Sequence, residues 1–270
     1  MEGTPAVEPP VLVETDAGIA TVTLNRARSI NALSEEMLAG LQAVWDEISQ
    51  RRDVKVVILR GAGDHFCAGH NLKEMTARRA DADGGHQYFN DLFATCSKMM
   101  MSIVNLPQPV IAEVTGIATA AGCQLVATCD LAVAAEDARF ATSGVNIGLF
   151  CSTPMVALSR AVPRKAAMEM LLTGDFIPAD RAVQLGLINK AVPRDQVADA
   201  TRQIADKIVA KSPVAVKIGK GAFYSQAEMD LAQAYEFAGR TMAENMMARD
   251  AEAGIGAFVT KQPMPEWTGE

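Results

Sequence analysis

The chain has 270 residues, 49% of them apolar and 21% charged, with a formal net charge of −7. That size suits one large core or two modest domains, and the acidic balance argues against a nucleic-acid partner, which calls for a basic face. No apolar run approaches the ~20 residues of a membrane span, and five scattered cysteines without a CxxC pair read as reduced thiols of a cytoplasmic protein, with neither a disulfide scaffold nor a metal site.

Residues 1–10 are proline-rich and lack the basic start and apolar segment of a signal peptide, so they read as a flexible leader. Residues 11–14 and Ile19–Leu24 alternate and are rich in β-branched side chains. Asp16-Ala17-Gly18 between them is a turn signal, which predicts a hairpin. A loop over 25–33 leads to Ser34, a helix cap with Glu35 and Glu36 in the first turn. Met37, Leu38, Leu41, Val44, Trp45 and Ile48 then recur at helical spacing. The run 54–59, apolar except for Lys55, predicts a strand covered on both faces. Phe66-Cys67-Ala68-Gly69-His70-Asn71-Leu72 follows it, a small-residue turn leading into an amphipathic run.

After a loop at 81–85, residues 89–104 predict a helix whose Met99, Met100 and Met101 suit adaptable core packing. Pro107 and Pro109 end it, and Val110–Val114 is the next strand. Gly116-Ile117-Ala118-Thr119-Ala120-Ala121-Gly122-Cys123-Gln124-Leu125 repeats the plan of small-residue turn and helix, and the strand Leu131–Ala135 follows. This recurrence indicates an α/β architecture in which loops at the carboxyl ends of strands gather into one site. From Pro163 the pattern is almost wholly helical, in segments 165–172, 178–185, 195–210, 213–223, 227–248 and 251–260. The expected organisation is a leader over 1–10, an α/β core over 11–199 and a helical region over 200–270.

Each small-residue turn offers bare backbone N–H groups at the start of a helix, where the dipole favours negative charge. Two such donors converging on one oxygen form an oxyanion hole. Neither turn matches the G-x-G-x-x-G pattern of dinucleotide-binding proteins. The pair, in this order, resembles the crotonase superfamily of enoyl-CoA hydratases and isomerases. Further markers are Leu24-Asn25-Arg26, Asn31-Ala32-Leu33, Cys129-Asp130, Phe140, Gly148 and the run 167–174.

The resemblance spans residues 11 to 267 or so. It implies a crotonase-like spiral of strand-turn-helix units with an α-helical C-terminal oligomerisation region, assembled as a homotrimer or dimer of trimers. It implies an acyl-CoA thioester as ligand and no cofactor, since coenzyme A is part of the substrate. By motif position, the oxyanion donors are the main-chain N–H groups of His70 and Ala121. Glycine is frequent at the Ala121 position, and alanine fits if φ there is negative. Contacts to coenzyme A carry over to Arg28, Ser29 and Ile30, to Ala68 and Leu72 beside the pantetheine, and to Phe258 and Lys261 near the C-terminus.

The chain departs from the pattern at two positions. Hydratases of this family place two glutamates across the substrate double bond, one to activate water and one to supply a proton. Here Gln124 and Gly144 stand in their places. An amide cannot accept the water's proton, and glycine offers nothing but room. Each general acid or base contributes a factor of about 10²–10⁴, so efficient hydration of simple enoyl-CoA esters is not expected. Isomerisation, hydrolysis or decarboxylation fits better. The alternative is a CoA-ester binding or regulatory protein with vestigial catalysis. Asn146, Cys151 and Ser152 are candidates for the acyl pocket, Cys151 more simply as an inert thiol. The His70 imidazole stands near the thioester in sequence, with packing over the pantetheine as its simpler role. Asp130 reads as structural.

Overall fold

A computed structural model describes residues 8–270. β1 (Val11–Asp16) and β2 (Ile19–Leu24) form the expected antiparallel hairpin, turning at Ala17 and Gly18, both at positive φ. α1 (Glu35–Gln50) begins where Ser34 Oγ accepts the Met37 N–H, and it buries Met37, Leu38, Leu41, Trp45 and Ile48. β3 (Val56–Gly61) is covered on both faces: Val57 and Leu59 join the large core, while Val56 and Ile58 join a smaller cluster. α2 (Leu72–Ala77) and α3 (His86–Asn105) follow, and α3 packs on α1.

The chain then returns through β4 (Val110–Val114), β5 (Ile117–Thr119), α4 (Ala121–Thr128), β6 (Leu131–Ala135) and β7 (Arg139–Ala141). α5 (Pro154–Ala161), α6 (Arg164–Thr173), β8 (Ile177–Pro178), α7 (Ala179–Leu185), β9 (Lys190–Val192) and α8 (Val197–Val209) complete the core. The main sheet has six strands in the order β1-β2-β3-β4-β6-β9, parallel except for the first pair. α8 covers β3, β4 and β6, and its Ala205 closes the smaller cluster. The expected boundary between 199 and 200 therefore falls inside a core helix. A second sheet, β5-β7-β8, is absent from the sequence reading; its strands have two or three residues, too few to show a period.

Three helices end the chain: α9 (Pro213–Gln226), α10 (Leu231–Met246) and α11 (Arg249–Thr260). The segment expected over 227–248 starts later because Asp230 caps it, accepting the Gln233 N–H. A buried lock holds α9 to the core. Lys220 Nζ donates to Asp130 Oδ2 at 2.7 Å and to the carbonyls of Ile103 and Gln108, and the Tyr224 hydroxyl donates to Asp130 Oδ1 at 2.9 Å. Asp130 also accepts the Val110 N–H at 2.7 Å, so its oxygens are engaged structurally. Buried Asp250 ties down the last residues, accepting from Ser212 Oγ at 2.6 Å and from the main chain of Thr268 and Gly269. α10 in contrast buries no residue and exposes Leu231, Tyr235, Met242 and Met246.

Part of the expected leader is anchored. Arg26 donates to the carbonyls of Glu8 and Pro9, and the Asn25 N–H donates to Pro10. The remainder of that leader, 1–7, lies outside the described residues.

Candidate active site

The two small-residue turns lie against each other. The N–H groups of Phe66 and Cys67 donate to the Ile117 carbonyl at 3.1 Å, and the Thr119 N–H donates to the Cys67 carbonyl at 3.0 Å. Gly69 has φ +88°, and a methyl group built on it would come within 3.1 Å of the Ala121 nitrogen. Glycine is thus what lets the first turn reach the second.

His70 and Ala121 each present an N–H without a main-chain partner. On the far edge of the first turn, the Leu33 N–H donates to the Gly69 carbonyl at 2.8 Å and the Asn71 N–H donates to the Leu33 carbonyl at 3.3 Å. Alternate residues of an extended segment pair toward opposite edges, so the His70 N–H faces away from Leu33. Ala121 is the first residue of α4, a position with no intrahelical acceptor for its N–H. Its backbone is helical, which alanine adopts freely. The strain sits one residue earlier, at Ala120, with φ 51° and ψ −120°. Such a conformation costs a non-glycine residue about 1–3 kcal/mol and is typical of ligand-holding turns.

Beside these groups lies a cavity of about 200 Å³. Ala68, His70, Leu72, Ala121, Gly144, Cys151 and Ser152 line it, all of them candidates from the sequence. Its apolar wall comes from Met75, Phe93, Ile147, Leu149, Phe150 and Pro154, none of which carries a sequence signal of its own. No carboxylate, lysine or arginine is among its lining residues. The His70 ring stands edge-on to Phe93, with centroids 5.6 Å apart. Both of its nitrogens are buried, without accessible surface toward the cavity. Burial lowers its pKa from the ordinary imidazole value, opposed by a hydrogen bond to the Leu33 main chain. Burial likewise raises the Cys151 thiol, with the Gly144 main chain opposing. A protonated thiol is a poor nucleophile.

Other candidates stand elsewhere. Gln124 is buried in α4, off the cavity lining, with Oε1 unpartnered. Asn146 turns away from the acyl space and donates to the Gly174 carbonyl at 3.2 Å. Arg28 and Ser29 lie exposed in a 3-10 turn, which Ala68 ties to the site by donating to the Ile30 carbonyl at 2.9 Å. Phe258 lies exposed in α11, with Lys261 just past its end, both away from the cavity.

Gly144 corrects the sequence reading most sharply. It does not leave room. A Cβ there would overlap the Leu149 carbonyl oxygen and stand 2.9 Å from Cys151 Sγ. The loop before α5 has folded into the space that a side chain at 144 needs.

A family comparison agrees with this architecture. The enoyl-CoA hydratase/isomerase profile matches residues 14–270. The chain belongs to that family. A crystal structure of an enoyl-CoA hydratase from Mycobacterium smegmatis superposes with a TM-score of 0.92 at 52% identity, covering 96% of this chain and 99% of that one. The human enoyl Coenzyme A hydratase domain-containing protein 3 gives 0.90 at 46%, covering 95% and 99%. The rat protein of the same name, designated mitochondrial, is 47% identical over 251 residues, 93% of this chain and 82% of its own. The short-chain-enoyl-CoA hydratase of Clostridium acetobutylicum is 32% identical over 93% of this chain and 95% of its own length.

These relatives overturn the cytoplasmic expectation, since rat, human, mouse and frog proteins at 45–48% identity are all named mitochondrial. The physical reason is simple. Five buried, unpaired thiols report a reducing environment and do not say which compartment provides it. Among the described residues, no cluster of His, Cys, Asp or Glu could hold a metal ion, and no helix is long and apolar enough to cross a membrane.

Proposed function

We propose that this chain binds an acyl-CoA thioester with its carbonyl oxygen between the N–H groups of His70 and Ala121, and acts on it by stabilising the enolate or tetrahedral oxyanion formed there. One observation carries this reading: two main-chain donors without main-chain acceptors, on abutting turns, at the wall of an apolar cavity. Each such donor supplies about 3–4 kcal/mol of transition-state stabilisation. The acyl group is apolar and uncharged, because no cation stands in the cavity to pair with an acyl carboxylate. That weighs against decarboxylation, the least demanding reaction on the sequence alone. Hydration is weaker still, because Gln124 cannot act as a base and the Gly144 space is filled.

A second reading, a CoA-ester binding protein without turnover, is favoured by the absence of any carboxylate among the cavity-lining residues. Arg28 and Lys261 would meet the coenzyme A phosphates as charge-assisted partners. Homotrimer or dimer-of-trimers assembly would cover the apolar side chains on α10 and is tested by light scattering. Calorimetry with butyryl-CoA, hexanoyl-CoA and free coenzyme A, followed by turnover assays with saturated and unsaturated esters, tests the whole reading. Acyl-CoA binding tighter than free coenzyme A supports it. Equal affinity for coenzyme A with and without the acyl group refutes it.

A further inference from the structure

Two hydroxyls on the cavity wall have hydrogen-bonding capacity that the fold does not use. Ser143 and Thr153 both line the cavity and are half-buried. Thr153 stands at the N-cap position of α5, where a threonine oxygen ordinarily accepts the N–H of the second or third helical residue. Here it makes no cap bond. Both N–H groups are already taken, Met155 donating to the Cys151 carbonyl at 2.9 Å and Val156 to the Thr153 carbonyl at 3.2 Å. Thr153 also has helical φ −73° and ψ −41° where a capping residue is extended, so its hydroxyl is released from the helix. Ser143 Oγ lies 2.8 Å from Thr119 Oγ1. Each hydroxyl carries one proton and two lone pairs, so a bond between the two uses one proton and leaves the other. Among the described residues neither oxygen has a second partner. Segment 149–151 lies directly against Gly144, which seats Ser143 and Thr153 on the same wall.

Resting on the binding mode proposed above, we propose that Ser143, positioned by Thr119, and Thr153 read one hydroxyl on the acyl chain, and that the ligand is an acyl-CoA whose otherwise apolar chain carries a hydroxyl at the γ- or δ-carbon. The apolar acyl group of that reading thus gains a single neutral oxygen. Neutrality follows from the lining, where a charged group would find no lysine, arginine or carboxylate to pair with. A hydroxyl both donates and accepts, so it answers the surplus proton of the Ser143–Thr119 pair and the free oxygen of Thr153 together. The position follows from covalent geometry. A β-hydroxyl stays beside the thioester carbonyl, on the main-chain side of the cavity, whereas Ser143 and Thr153 belong to the opposite wall with Gly144 and Cys151. No bond is made or broken; the two side chains select the ligand. A site that hydrogen-bonds a ligand hydroxyl discriminates against the analogue without it, because its own polar groups are then left unpaired.

The test compares pairs of esters that differ by hydroxyl for methyl, with the full chain and calorimetry. The pairs are 4-hydroxybutyryl-CoA with pentanoyl-CoA, 5-hydroxypentanoyl-CoA with hexanoyl-CoA, and 3-hydroxybutyryl-CoA with 3-methylbutyryl-CoA. In the wild-type chain the hydroxy ester of the first or second pair should bind about 3–10-fold tighter than its methyl partner, the usual net worth of a hydrogen bond. In Ser143→Ala and in Thr153→Val that ratio should fall to one or below. Both esters of a pair are read within one variant, so a general loss of affinity cancels. Wild-type ratios at or below one in the first two pairs overturn the hydroxyl reading, and ratios that persist in both variants overturn the role of these side chains. A preference confined to the 3-hydroxy ester overturns the placement on the opposite wall. In each of these cases the binding mode stands as long as the alkyl esters bind tighter than free coenzyme A. Alkyl and hydroxy esters that bind no tighter than free coenzyme A overturn both together.

Discussion

The two halves of the cavity are built differently. The half that carries the unpaired N–H groups of His70 and Ala121 is main chain: the turns at 67–70 and 118–121, pinned by Phe66, Cys67 and Thr119 hydrogen bonds and brought together by Gly69. The opposite, apolar half is side chains and a loop: Phe93, then Leu149, Phe150 and Cys151 around Gly144. A backbone donor tolerates exchange of its side chain, so the N–H groups of His70 and Ala121 do not depend on which residues stand there. A side-chain wall has no such tolerance. At Gly144 the Leu149 carbonyl and Cys151 Sγ occupy the space a larger side chain would need, so that wall is set by the path of its neighbouring loop.

Removing a main-chain donor should have the largest effect. Proline is accepted at the first position of a helix and carries no N–H. Ala121→Pro should therefore keep α4 while lowering turnover by about 10²–10³. A folded variant with an undiminished rate would show that the carbonyl is held elsewhere.

Next comes the acyl half. Gly144→Ala should lower unfolding free energy by about 1–3 kcal/mol, the usual cost of overpacking, measured by denaturant titration. Introducing glutamate at both 124 and 144 should consequently fail to create an efficient crotonyl-CoA hydratase. Unchanged stability of Gly144→Ala would mean that the Leu149 carbonyl yields easily and that the two halves are less distinct than they look.

A smaller effect is expected from Phe150→Ala, which opens the apolar wall. The affinity gain of hexanoyl-CoA over butyryl-CoA should grow, bounded by about 0.8 kcal/mol for each additional buried methylene. An unaltered ratio by calorimetry would place the acyl chain away from this wall.

The smallest effect concerns pH. The folded-state pKa of His70 lies below its unfolded value, so its contribution is fully present above the ordinary imidazole range. As pH falls below 6.5, the unfolded chain takes up the proton first and stability declines until the folded-state pKa is reached. Melting temperature should thus drop more steeply on acidification for the wild-type chain than for His70→Gln. Parallel curves would argue that the ring is solvated.

The contrast between halves also explains what the sequence made legible. The glycine turns, the Ser34 cap and the doubly covered β3 follow from local residue types, so their places could be read directly. Asp130 was recognisable as structural, yet its partners Lys220 and Tyr224 are 90 and 94 residues away and carry no local signal. The acyl wall was hidden for the same reason. Met75 and Phe93 look like ordinary helix residues until α2 and α3 bring them to one cavity. Gly144 was misread because emptiness at one position depends on where residue 149 goes, which spacing does not reveal. Asn146 looked like a pocket residue by proximity in sequence, but the turn ending at Gly148, with φ 79°, points its amide at Gly174 instead.

The carbonyl of a bound thioester reports most directly on the main-chain half. Butyryl-CoA labelled with ¹³C at that carbonyl allows its stretching band to be isolated by infrared difference spectroscopy in the complex. Two N–H donors on the oxygen should move the band to lower frequency than in water, and Ala121→Pro should reverse much of that shift. A tightly bound ester whose band stays at its solution position, in the wild-type chain, would contradict the placement of the carbonyl between His70 and Ala121.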